Sequence, residues 1–114
     1  MTLFEQILRN IKYSIIQGAS IELHEYCKEL ETEFEYVEKA YKEEINNIYK
    51  IKIKITKQLS LSEIDDLVFP IVSFMRYHDG LFYQRHIGKN KVIYEMITFG
   101  DDYEGFACKI IILW

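Results

Sequence analysis

The chemistry-bearing residues of this chain gather between positions 76 and 86. Arg76-Tyr77-His78-Asp79-Gly80 is followed closely by Tyr83-Gln84-Arg85-His86. Two histidines can act as general base and general acid, and Arg76 or Arg85 could stabilise a developing phosphorane charge. A small metal-independent ribonuclease on His78 and His86 would need about this set. The simpler reading puts His78 in a turn and His86 at a strand end, both solvated, and an acidic chain repels RNA. His24, Glu25 and Cys27 lie close together at helical spacing, but no third and fourth ligand complete a metal site. The pair Asp101-Asp102 lacks the periodicity of a calcium loop. There is no G-x-S-x-G, no S-x-x-K, no cysteine set among glycines and no phosphate-binding glycine loop. The expectation is a protein with no catalytic residue, no metal and no cofactor.

Charge distribution says more. Residues 20 to 45 read as one long helix with Leu23, Tyr26, Cys27, Leu30, Phe34, Val37, Tyr41 and Ile45 on a single stripe at about 100° per residue. Glu22, Glu25, Glu29, Glu33 and Glu44 line one flank, and no basic residue interrupts them. Lys28, Lys39 and Lys42 occupy the other flank, where Glu35–Lys39 and Glu38–Lys42 pairs at i,i+4 each add a few tenths of a kcal/mol. On the acidic flank, Glu25 repels Glu29 and Glu29 repels Glu33. A solvated helix face is the ordinary explanation for a charge run. Tolerated repulsion beside an aromatic residue, Tyr36, favours a binding ridge instead. Asp101, Asp102 and Glu104 around Tyr103 repeat the combination of acid and tyrosine. These nine residues, Glu22, Glu25, Glu29, Glu33, Tyr36, Asp101, Asp102, Tyr103 and Glu104, form the candidate partner-binding set.

The elements must come from a chain of 114 residues, 49% of them hydrophobic, which suits a single domain spanning 1–114 with its own core. A net charge of −4 argues against direct contact with nucleic acid or an anionic membrane and suits a basic protein partner. The N-terminus lacks the apolar region of a signal peptide, no run is long enough to span a bilayer, and Cys27 and Cys108 read as free core thiols. A cytoplasmic location follows as an expectation.

A first amphipathic helix is expected over residues 2–17, with Phe4, Ile7, Leu8, Ile11 and Ile15 buried and Gly18 as its stop. Ser20 caps the long acidic helix. Residues 48–56 alternate Tyr49, Ile51, Ile53 and Ile55 with lysines, the clearest strand in the chain, and a lysine row can protect an edge strand from aggregation. Ser60 with Glu63 has capping-box spacing for a helix over 61–77, kinked or split at Pro70. The rival is a hairpin of 71–77 with 81–86 turning at Asp79-Gly80. Strands follow at 81–86, 91–99 and 106–114, the last apolar enough to be central. The order is α-α-β-α-β-β-β, an α+β fold with helices packed on a mainly antiparallel sheet of about four strands.

In size, charge and layout the chain resembles bacterial toxin-immunity proteins, especially those of contact-dependent inhibition systems. The resemblance implies an immunity protein that binds one cognate toxin domain, often a basic nuclease, and occludes its active site. A phage-encoded inhibitor of a host nucleic-acid enzyme would share these features.

Overall fold

The computed structural model describes residues 12–13, 17–45, 48–77, 80–98, 104–105 and 107–114. In chain order the elements are β1 (Lys12–Tyr13), α1 (Gln17–Glu33), β2 (Val37–Ile45), β3 (Ile48–Ile55), α2 (Leu61–Tyr77), β4 (Gly80–Gly88), β5 (Lys91–Thr98), β6 (Glu104–Gly105) and β7 (Ala107–Leu113). The fold is α+β. Five strands form one mixed sheet in the order β2-β3-β7-β5-β4, and β1 pairs with β6 in a separate two-stranded parallel ribbon. The sheet is larger than the four strands expected. Three of its four pairings are antiparallel, as expected, and the sheet is mixed because β7 runs parallel to β3.

The long acidic helix is the main correction. Helix α1 stops at Glu33 and the chain re-emerges as β2. Phe34 N–H still reaches the Leu30 carbonyl at 3.3 Å, then Val37 N–H bonds the Phe34 carbonyl at 3.1 Å and turns the chain. The Phe34 and Tyr36 rings pack 5.3 Å apart across this turn. Val37–Ile45 has helix-forming residues, but β3 needs a partner on that side, and the ladder formed with β2 outweighs local propensity. The expected Glu35–Lys39 and Glu38–Lys42 helical pairs therefore do not exist as such. Gly18 and Ser20 lie inside α1 rather than before it, and Lys12–Tyr13 is strand, so the first helix cannot run through 17. The rest of the 2–11 segment lies outside the described residues.

Helix α2 forms as the capping box requires. Glu63 N–H donates to Ser60 Oγ at 3.2 Å, and Ser60 N–H donates back to Glu63 Oε1 at 3.2 Å. It runs as one helix through Pro70 to Tyr77, which replaces both the split helix and the rival hairpin. The expected turn before β5 is formed by Lys89 and Asn90, with Asn90 at φ 56°, a left-handed conformation that asparagine tolerates.

Both helices cover one face of the sheet. Leu23, Cys27 and Leu30 from α1 and Ile64, Leu67, Val68, Ile71, Phe74 and Met75 from α2 meet Val37, Ala40, Tyr49, Ile51, Ile53, Ile55, Val92, Tyr94, Met96, Cys108, Ile110 and Ile112. Strand β7, expected to be central, lies at the middle of the sheet. Strand β3 is paired on both sides, so its lysines do not guard an edge. Cys27 and Cys108 are both buried and unbridged.

Candidate functional site

The outward side of the helical layer carries the acidic ridge. Glu25, Glu29 and Glu33 are exposed on α1, one turn apart. Glu25 meets Lys28 at 3.8 Å, a pair of exposed side chains worth little in water. Glu22 belongs to the same helix, and its side chain lies outside the described residues. Helix α2 adds exposed Glu63, Asp65 and Asp66 on the same face of the sheet.

Each of the two helices also leaves a large apolar group unburied. Phe69 on α2 is 63% exposed and Ile21 on α1 is 64% exposed. Phe69 follows Asp66 by three residues, which places the two on one side of α2. Phe69 is thus held out of the core that takes in Phe74 and is open to solvent. The sequence carried a signal for it: Phe69 falls off the stripe defined by Ile64, Leu67, Val68, Ile71 and Met75.

Tyr36 does not extend the α1 ridge as a helical residue. It sits in the turn after α1, half-buried, at the border with α2. Burial first, then Glu63 and Asp66, push its phenol above the ordinary value. Lys57 stands 5.4 Å over its ring, and Glu35, Tyr36, Thr56 and Lys57 line a shallow concavity of about 300 Å³. Tyr36 is therefore brought close to the helical carboxylates by the turn. The second acidic patch cannot be placed against it: Asp101, Asp102 and Tyr103 lie outside the described residues, and Glu104 is described only as backbone of β6.

Within the histidine-bearing segment the fold separates Arg85 from His86. His86 lies on β4, on the sheet face away from the helices, and its Nε2 is 2.6 Å from Glu95 Oε1 on β5. Glu95 is a buried carboxylate, 7% exposed, so the imidazole supplies its hydrogen bond. Arg85 points to the helical side, where its guanidinium meets Asp65 at 3.1 Å. The two neighbours serve opposite faces of the sheet, as strand alternation dictates. His78 lies outside the described residues. His24 is exposed while Cys27 of the same helix is buried, which separates the proposed metal ligands, and no group of metal-binding side chains occurs among the described residues.

An open cleft of about 430 Å³ lies between the start of α2 and the β4–β5 hairpin, lined by apolar Leu61, Ile64, Ile87, Val92 and Trp114. Its polar groups, Gln58, Ser60, Lys89 and Asn90, offer no paired acid and base.

Sequence reasoning missed the other face of the sheet. Register places Lys39 and Tyr41 of β2, Lys50, Lys52 and Lys54 of β3, Lys109 of β7 and Lys91 of β5 there. A net charge of −4 thus conceals an acidic helical side and a lysine-rich sheet side. Parity along each strand held that signal, but adding the strands together requires their register.

No helix among the described residues is long and apolar enough to cross a membrane. No protein-family model, curated protein or solved structure matches the chain.

Proposed function

We propose that this protein is an inhibitor of the immunity type: it binds a basic toxin domain, a nuclease by preference, and covers the active site with the acidic side of its helical layer. It does so as a cytoplasmic protein without cofactor or catalytic residue of its own. The observation that carries the reading is a helical layer whose exposed side carries Glu25, Glu29 and Glu33 with Ile21 on α1, and Asp66 with Phe69 on α2. Carboxylates can occupy positions that phosphates take in a nuclease cleft. They steer the encounter, and a buried ring then supplies much of the hold. Tyr36, between the helices, extends this surface.

The test is genetic and then physical. An inhibitor of this kind is commonly encoded beside its target. The product of the adjacent reading frame should arrest growth when expressed alone, and co-expression of this chain should restore it. Glu25→Lys, Glu29→Lys and Glu33→Lys together should abolish the rescue while leaving the circular dichroism spectrum unchanged. Full rescue by that variant would remove the ridge from the mechanism.

A further inference from the structure

The sheet face turned away from α1 and α2 holds positive charges close to one another. Lys50, Lys52 and Lys54 project from alternate positions of β3. Lys39 stands directly opposite Lys54, and Lys50 directly opposite Lys109. Like charges so placed, roughly 5 Å apart, destabilise a sheet. Edge protection does not explain them, since β3 lies inside the sheet. Lys52 and Lys54 have carboxylate neighbours in Glu43 and Glu38, each at 3.5 Å. Lys50 and Lys109 form no ion pair within 4 Å among the described residues, but Glu43 stands directly opposite Lys50 and Glu95 directly opposite Lys109.

We propose that this lysine row is the docking site for the acidic ridge of a second copy of the same chain. The ridge repels itself, the row keeps an excess of positive charge over Glu38, Glu43 and Glu95, and the two complement each other. Glu25, Glu29 and Glu33 recur about every 6 Å along α1. Lys50, Lys52 and Lys54 recur about every 6.7 Å along β3. Over three residues the mismatch is roughly 1.4 Å, which lysine stems absorb. Ile111 and exposed Leu113 flank the lysine row, and Ile21 flanks the ridge, so the contact has an apolar component. Because row and ridge lie on opposite sides of the molecule, the contact is head-to-tail and grows by addition.

A nucleic acid fits this face less well. Tyr41 is the exposed ring, and the ammonium groups of Lys39 and Lys52 already stand 5.1 and 5.8 Å over it. A base would have to displace them to stack. The proposal uses the same ridge as the inhibitory reading but does not depend on it; self-association would cover the ridge until a tighter partner arrives.

Sedimentation velocity of the purified, nuclease-treated chain tests this. At low salt the wild type should associate with rising concentration, and in about 1 M salt, where screening is nearly complete, it should return to monomer. The ridge variant (Glu25→Lys, Glu29→Lys, Glu33→Lys) and the row variant (Lys50→Glu, Lys52→Glu, Lys54→Glu) should each be monomeric, with association weakened at least tenfold. An equimolar mixture of the two should associate again, since each then offers the charge the other lacks. Lys50→Gln, Lys52→Gln and Lys54→Gln serve if the row variant misfolds. A monomeric wild type at low salt, or a mixture that stays monomeric, overturns the proposal. So does association seen only before nuclease treatment, which would assign the row to nucleic acid. The row variant should still bind a basic partner through its intact ridge, so loss of self-association and loss of inhibition are separable outcomes.

Discussion

The hydroxyl of Tyr94 donates to Asp65 Oδ1 across 2.6 Å and so joins β5 to the first turns of α2. Arg85, the cross-strand neighbour of Tyr94, reaches the same carboxylate at 3.1 Å. One aspartate thereby fixes the position of the helix that presents Asp66 and Phe69. Tyr94→Phe should lower unfolding free energy by about 1–2 kcal/mol, read by urea denaturation, with little change in overall fold. An unchanged midpoint would show that the bond holds nothing.

Alkaline stability should follow the buried acids. Burial raises the Cys27 thiol from 9.0 to about 11. Burial and the bond to Asp65 raise the Tyr94 phenol to about 12. In both cases the folded state holds its proton longer than the unfolded chain. The stabilisation is complete below the unfolded value and is lost as pH climbs through the folded one. Denaturation midpoints should therefore fall from about pH 9 upward, and Tyr94→Phe should flatten the part between about 10 and 12.

The same burial makes the thiols inert. A thiolate-specific reagent at neutral pH should label Cys27 and Cys108 no faster than the chain opens, and both at once in denaturant. Rapid labelling of native Cys27 would contradict its place on the buried face of α1.

Phe69→Ala should leave the melting temperature nearly unchanged, because the ring is outside the core. Against a basic partner the same change should cost 2 kcal/mol or more, about a thirtyfold loss of affinity by calorimetry, if the ring is an anchor. Equal binding by the variant would reduce Phe69 to an incidental surface residue.

Ile53→Ala tests the centre of the sheet. Ile53 is fully buried and faces Ile112 on β7. The truncation should cost about 2–5 kcal/mol by chemical denaturation. Asn90→Val, by contrast, should cost roughly 1–2 kcal/mol through its left-handed backbone alone, and Asn90→Gly should cost nothing.

Much of this was legible in residue order. Alternation at Tyr49–Ile55 marked β3, Ser60 and Glu63 marked the start of α2, and the apolar run at 107–113 marked the middle strand. Each of those signals is local. Residues 37–45 carry a spacing of Val37, Tyr41 and Ile45 that suits a helix. They form a strand because β3 offers an open ladder, which is information held in another segment. Periodicity without a partner could not choose between the two.

The candidate site was legible to the same degree. Glu25, Glu29 and Glu33 stand exposed on one helix as their spacing requires. Tyr36 lies in the turn after that helix and meets Glu63 and Asp66 of α2 instead, and Phe69 was passed over because it belonged to no stripe. The bonds among Asp65, Arg85 and Tyr94 join positions 20 or more residues apart and leave no trace in local pattern.

Strand β7 lies between β3 and β5 yet follows both in the chain. On a ribosome, the two halves of the sheet would emerge with their inner edges bare, and neither could seal before Ala107–Leu113 had left the exit tunnel. Closure must then bridge distant segments in one late step, which slows folding and exposes unpaired edges to neighbouring nascent chains. For this protein, newly made copies should need chaperone protection until the final strand is threaded home.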